Sequence, residues 1–250
     1  MRLLIICLLF STSVFAQSEG PSNVRYVWAK SGLTLRAEGK AGAEKIKVLP
    51  FGTAVTLTGK TGERIKVTAL PSVTFNGPDG KVQSDAYVMD EEYAEVDIDG
   101  SKGFVFPGYL SALDPLADLP EESTMIQWLR AQDEEPRETD ITARSYWSRG
   151  SVVHQYGNGM TVNDVYYEGG GASTIVIPGA SINDGFLIME RWFGIQETIR
   201  RLKERKGEPD YGDEYLKILD DGRLDFQGDM SGTTIQRVGG MLIIHSAGGC

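Results

Sequence analysis

The stretch from Gly32 to Leu57, GLTLRAEGKAGAEKIKVLPFGTAVTL, constrains the fold more than any other part of this 250-residue chain. Leu33-Thr34-Leu35, Ile46-Lys47-Val48-Leu49 and Ala54-Val55-Thr56-Leu57 are short runs that alternate in the strand sense, with one face apolar. Pro50-Phe51-Gly52-Thr53 separates the last two: proline presets one turn dihedral there and glycine accepts a positive one. Far along the chain, Gly103 to Leu110 (GFVFPGYL) supplies a further apolar run that closes the unit. Short strands, tight turns and a distant closing strand predict a small, strongly bent antiparallel barrel.

The rest of the chain divides around it. Polar residues 17–23 lead into a first strand at Tyr26-Val27-Trp28-Ala29. Between Leu57 and Tyr93, Ile65 to Leu70 and Lys81 to Met89 flank Asn76-Gly77-Pro78-Asp79-Gly80, the pattern of an inserted hairpin. Residues 114–122 carry the prolines and aspartates of a linker. Residues 121–132 place Met125, Ile126, Trp128 and Leu129 on one helical face. Beyond, Ser151 to Tyr156 and Met160 to Tyr167 flank Gly157-Asn158-Gly159, a hairpin signal, and Ser173 to Ile177 is a further strand. Ser181-Ile182-Asn183-Asp184 is a helix-capping phrase, and the helix it opens ends in the basic run Arg200 to Lys206, weakened at Gly194. Tyr215 to Leu219, Arg223 to Phe226, Thr233 to Val238 and Met241 to His245 read as a meander. The expected fold is mainly β with some α: a barrel at 24–113 with an inserted hairpin, a linker at 114–122, and an α+β unit at 123–250.

Five phrases of the first unit, in order, carry a resemblance. Leu33-Thr34-Leu35-Arg36, Val48 to Val55, Tyr93-Ala94-Glu95-Val96, Gly103-Phe104-Val105 and Tyr109-Leu110 resemble the bacterial SH3 (SH3b) family. That family reads L-N-V-R, L-P-x-G-T-x-V, W-x-K-V, G-Y-V and Y-L. The resemblance covers about a third of the chain. It departs where Ala37-Glu38-Gly39 replaces the usual Gly-Pro, where Tyr93 replaces the tryptophan, and at the long insertion. It implies an SH3-like barrel with a cell-envelope role, docking a peptide of the wall or of another envelope protein.

A net charge of −10 argues against a nucleic-acid partner and against attachment to an anionic membrane surface, both of which need clustered Lys and Arg. Arg2, the apolar run Leu3 to Phe10 and Val14-Phe15-Ala16 form a signal peptide over residues 1–16. Its apolar part is well short of the roughly 20 residues that span a bilayer, so no transmembrane anchor is expected. Export to the periplasm or the exterior follows, with Cys250 as the one mature thiol and hence no internal disulfide.

Catalytic constellations are not legible. No histidine follows Cys250, and Gly228-Asp229-Met230-Ser231-Gly232 has the wrong spacing for a nucleophile turn. His154 and His245 each stand alone, and Asp97-Ile98-Asp99-Gly100 and Asp220-Asp221-Gly222 fit hairpin turns better than calcium loops. No catalytic residue, metal site or cofactor is therefore assigned. The expected chemistry is binding by aromatic side chains, with Trp28, Phe51, Tyr87, Tyr93, Phe106 and Tyr109 as candidates. If Val105 points into the barrel, Phe104 and Phe106 point away from it. Tyr93, Phe106 and Tyr109 are the preferred ligand-binding set. The alternative is a wall-modifying enzyme whose chemistry lies in the second unit.

Overall fold

The computed structural model describes residues 23–77, 80–120, 123–132, 137–140, 148–204, 215–228 and 231–249. The leader, Cys250 and the Gly228–Ser231 turn's middle residues lie outside them. The chain is mainly β, with seventeen strands in three antiparallel sheets and three α-helices among the described residues.

The first sheet holds β1 (Val24–Val27), β2 (Leu33–Arg36), β3 (Lys45–Leu49), β4 (Ala54–Leu70), β7 (Tyr87–Ile98), β8 (Ser101–Val105) and β9 (Leu110–Ser111). Their order is β3-β2-β8-β7-β4-β1-β9. All seven contribute to one small apolar cluster, from Val27 and Leu35 through Leu49 and Val55 to Val96, Val105 and Leu110. A sheet whose strands share so small a core must curl. Its ladders nevertheless stay open: β3 and β9 are unpaired edges, so the closed barrel expected from the sequence is not formed by strand pairing.

The insertion departs from a simple hairpin. Ile65 to Leu70 does not begin a separate strand but continues β4, which runs for 17 residues beside β7. Register shifts at Leu57/Thr61, Thr61/Arg64 and Thr68/Leu70 let this long ribbon bend. Lys81 to Met89 is not one strand either, since it breaks at Asp85 between β6 (Gly80–Ser84) and β7. β6 pairs with β5 (Val73–Gly77) in a two-stranded hairpin at the ribbon's far end. The ribbon's other face is pinned at glycine: Glu63 N donates to Gly39 O at 2.6 Å, and a Cβ on Gly62 would lie 2.3 Å from that oxygen.

The second sheet has eight strands in the order β10-β11-β12-β13-β17-β16-β15-β14, from β10 (Arg137–Asp140), β11 (Ser148–Gln155), β12 (Thr161–Tyr167) and β13 (Gly170–Pro178) to β14 (Tyr215–Ile218), β15 (Leu224–Gln227), β16 (Ser231–Val238) and β17 (Met241–Gly249). The hairpin expected around Gly157-Asn158-Gly159 is β11–β12, and the expected meander is β14 to β17. Helix α2 (Ile182–Phe193) opens with the predicted capping phrase: Ser181 Oγ accepts from Asp184 N, and Asp184 Oδ2 accepts from Ser181 N. Gly194, left-handed at φ 58°, ends it outright, and α3 (Ile195–Glu204) restarts at once. What reads as one weakened helix is two. Helix α1 is Met125–Ala131, capped by Thr124.

One apolar core joins everything on the far side of the first sheet. Leu70, Tyr87, Met89, Tyr93, Phe104 and Phe106 pack in the same cluster as Trp128, Phe186, Ile188, Ile235 and Leu242. Val105 does turn into the small cluster, and its neighbours Phe104 and Phe106 turn into this larger one. The inserted hairpin also docks: Leu216 N donates to Ser84 Oγ and Ile218 N to Asp85 Oδ2, so the edge strand β14 is partnered by the β6–β7 corner. Residues 114–120, linker-like in composition, pack Leu116 and Leu119 against the core.

Three indoles converge in that core. Trp28 Nε1 donates to Leu113 O, Trp128 Nε1 to Asp114 O and Trp192 Nε1 to Ser123 O, at 2.8, 2.8 and 3.0 Å. Trp128 is fully buried between the other two, with ring centres 5.7 Å from Trp28 and 4.9 Å from Trp192. Replacing it by alanine is expected to cost about 3–5 kcal/mol. Because the core is shared, far-UV circular dichroism and tryptophan fluorescence should report one coincident denaturant transition, shifted as a whole in Trp128→Ala.

Candidate functional site

A cleft of about 560 Å³ opens between the first sheet and the end of α2. The β1–β2 connection supplies one wall, from Trp28 to Gly32. Ile65, Val67 and Tyr93 come from the β4–β7 ribbon, and Phe106 and Tyr109 from the 3-10 turn Pro107–Tyr109 that leads into β9. Leu187, Glu190 and Arg191 of α2, with Gln196 of α3, face them. The three aromatics preferred on sequence grounds thus line one cleft. Tyr93 reaches it from β7, and Phe106 and Tyr109 from the turn after β8.

They are not equivalent. Tyr93 and Phe106 are 5% and 7% exposed, so each is chiefly a packed wall, whereas Tyr109 is half-buried. Phe106 meets Tyr109 edge-on at 6.0 Å between ring centres. Burial raises the Tyr109 hydroxyl above its ordinary value, with a further push from the Glu190 charge. Of the other aromatic candidates, Trp28 lines the cleft and Phe51 packs edge-on against it at 6.4 Å. Tyr87 does not reach the cleft: it stacks on Phe186 at 4.6 Å and donates to Asn183 at the seam with α2.

The sequence reading missed the polar side of the site, Glu190 and Arg191. Glu190 Oε2 accepts from Gln196 N at 2.8 Å and so satisfies an amide at the start of α3. Burial raises its carboxyl above the usual range, against the lowering pull of that amide and of Lys30. The Arg191 guanidinium lies over aromatic faces, its carbon 4.9 Å from the Trp192 ring centre and 5.0 Å from that of Phe51. Burial lowers it from the usual arginine value. An Arg-Trp pair at the end of an amphipathic helix is a faint signal, outshone by the Arg200 to Lys206 run. That run is a solvated helix end: Arg200 pairs with Glu197 and Glu204, both exposed.

A second hollow of about 470 Å³ lies on the second sheet, where small residues such as Gly171, Ser173 and Ser246 meet the exposed rings of Tyr166 and Phe193. Its one charged lining residue is Asp164. Neither histidine joins either hollow. His154 Nε2 stands 3.9 Å from Asp164 Oδ2, and His245 Nδ1 shares a hydrogen bond with Thr174. Among the described residues no group of three or more His, Cys, Asp or Glu is placed to hold a metal ion, and no helix is long and apolar enough to cross a membrane. Comparison of the chain with family models, curated proteins and solved structures finds no match.

Glu190 gives the site a pH signature. Its carboxyl is raised in the folded state, so its contribution to stability is full at low pH and falls as pH rises through the folded value. Glu190→Gln keeps an oxygen for Gln196 N but removes the buried charge. The variant should melt at the same temperature as the wild type near pH 4 and above it near pH 7.5, measured by calorimetry. A wild type that gains on the variant as pH rises would contradict this.

Proposed function

We propose that the protein is an exported binding protein of the cell envelope, docking a peptide of the wall or of another envelope protein in the aromatic cleft. The observation that carries this reading is the convergence of Tyr93, Phe106, Tyr109 and Trp28 on one cleft that also holds both charges and hydrogen-bonding groups. Its volume falls in the range of about 300–1,000 Å³ usual for ligand clefts. Apolar walls with a few polar groups suit an extended segment, whose side chains enter the walls while its backbone meets the polar rim.

The first unit is read as SH3b-like. Supporting this, the five family phrases fall on β2, on β3 through β4, on β7, on β8, and on the 3-10 turn entering β9. The last strand pairs with the first, and all seven strands curl round one small core. Export rests on the leader-like residues 1–16.

Sedimentation with insoluble peptidoglycan tests the reading. Wild-type protein is expected in the pellet. Tyr109→Ala, which removes a half-exposed ring, should weaken retention about ten-fold or more, as loss of an anchoring aromatic does. Tyr93→Phe, which keeps the packed ring and removes only the hydroxyl, should weaken it less. Protein left in the supernatant but captured by a defined envelope protein moves the partner from wall to protein. Release of soluble wall fragments would replace the binding reading by an enzymatic one.

A further inference from the structure

The cleft has an electrostatic character that its aromatic walls do not account for. The chain as a whole carries a net charge of −10. Yet Lys30, Arg36 and Arg191 line the cleft against one acid, Glu190, which accepts from Gln196 N and lies near Lys30, while Arg36 donates to Ala43 O. An acidic protein that gathers cations in one concave place is complementary there to an anion.

Arg191 is the focus. Among the described residues no carboxylate or carbonyl accepts a hydrogen bond from its guanidinium, and its Nη1 is buried without a partner. The rings of Trp192, Phe51 and Trp28, with centres 4.9, 5.0 and 6.0 Å from its carbon, hold the fork in place. A planar cation fixed by stacking and lacking an anion is preorganised for a bidentate acceptor. Tyr93 lines the same cleft, its ring 5% exposed and packed as a wall.

Two features narrow the anion. Arg191 stands in the last turn of α2, whose partial negative charge opposes a dianion more than a monoanion, which favours a carboxylate over a phosphate. The cleft's volume, about 560 Å³, is room for a few residues.

We propose that the cleft captures the C-terminal end of a peptide, with its terminal carboxylate in the fork of Arg191 and its last peptide groups within reach of Tyr93. This rests on the peptide-docking reading of the same cleft. A terminal carboxylate is main chain, so recognition requires no particular last side chain, and Leu187, Ile65 and Val67 tune which ones fit.

Equilibrium dialysis of the full-length protein against a library of N-acetylated tripeptides, prepared once with a free C-terminal acid and once as the C-terminal amide, decides the matter. Mass spectrometry reads what is retained. In the wild type the acids should be retained at least about ten-fold more than the amides. Arg191→Gln should bring that ratio to about one, and Arg191→Lys, which keeps the charge without the fork, should fall between; circular dichroism checks that both fold. Equal retention of acids and amides by the wild type overturns the carboxylate inference and leaves the peptide-docking reading standing. Retention confined to tripeptides with Asp or Glu, in both forms alike, overturns it in favour of a side-chain anion. Retention of neither form overturns both readings.

Discussion

Trp28, Trp128 and Trp192 come from three different elements, and each donates its indole N–H to a carbonyl of the segment between Leu113 and Ser123. A segment outside any strand or helix that packs against a core needs donors for the carbonyls it turns inward. The indoles supply them while bringing their rings into the core, where they pack edge-on and tilted against one another. The same contacts tie the curled first sheet, helix α1 and helix α2 into one cluster. Losing one ring leaves a large cavity and removes a donor from the segment, although Asp114 O keeps a second donor in Gln132 Nε2.

The cleft depends on that arrangement. Trp192 precedes the end of α2 by a single residue, and its position places Arg191 over Phe51 and Trp28 on one side and Glu190 toward Tyr109 on the other. Gly194 then stops the helix, and the amide of Gln196 takes the Glu190 carboxylate. The break between α2 and α3 thus gives the one acid of the cleft an amide partner beside Lys30. The bend in the backbone and the charge balance of the site have a common origin.

Local patterns were legible where they are physically local. The Pro50 to Thr53 turn, the Gly157 to Gly159 hairpin, the Ser181 cap and the C-terminal meander all depend on residues within a few positions of one another, and each lies where its pattern puts it. The long pairing of β4 with β7 was hidden because bulges break its alternation, and the corner at Ser84-Asp85 was hidden because its partners lie on β14. The character of residues 114–120 was hidden for the same reason: composition marks them as a linker, but distant indoles decide that they pack. Tyr93, Phe106 and Tyr109 were reachable as the aromatics of the resemblance's expected groove, whereas Arg191 acquires its meaning from rings at positions 28, 51 and 192.

The first sheet is apolar on both faces. Alternation along β8 sends Val105 into the small core and Phe104 and Phe106 out of it, so the first sheet has a second apolar face that water would not tolerate bare. The helices and the second sheet cover most of it. The cleft opens beside Tyr109, at the point where α2 ends and its charged residues begin. A ligand that reaches this strip must touch both parts of the molecule, so neither part alone carries the site. The proposed cleft is therefore a feature of the seam, walled by Leu187, Glu190 and Arg191 of α2 as much as by the aromatic face of the sheet.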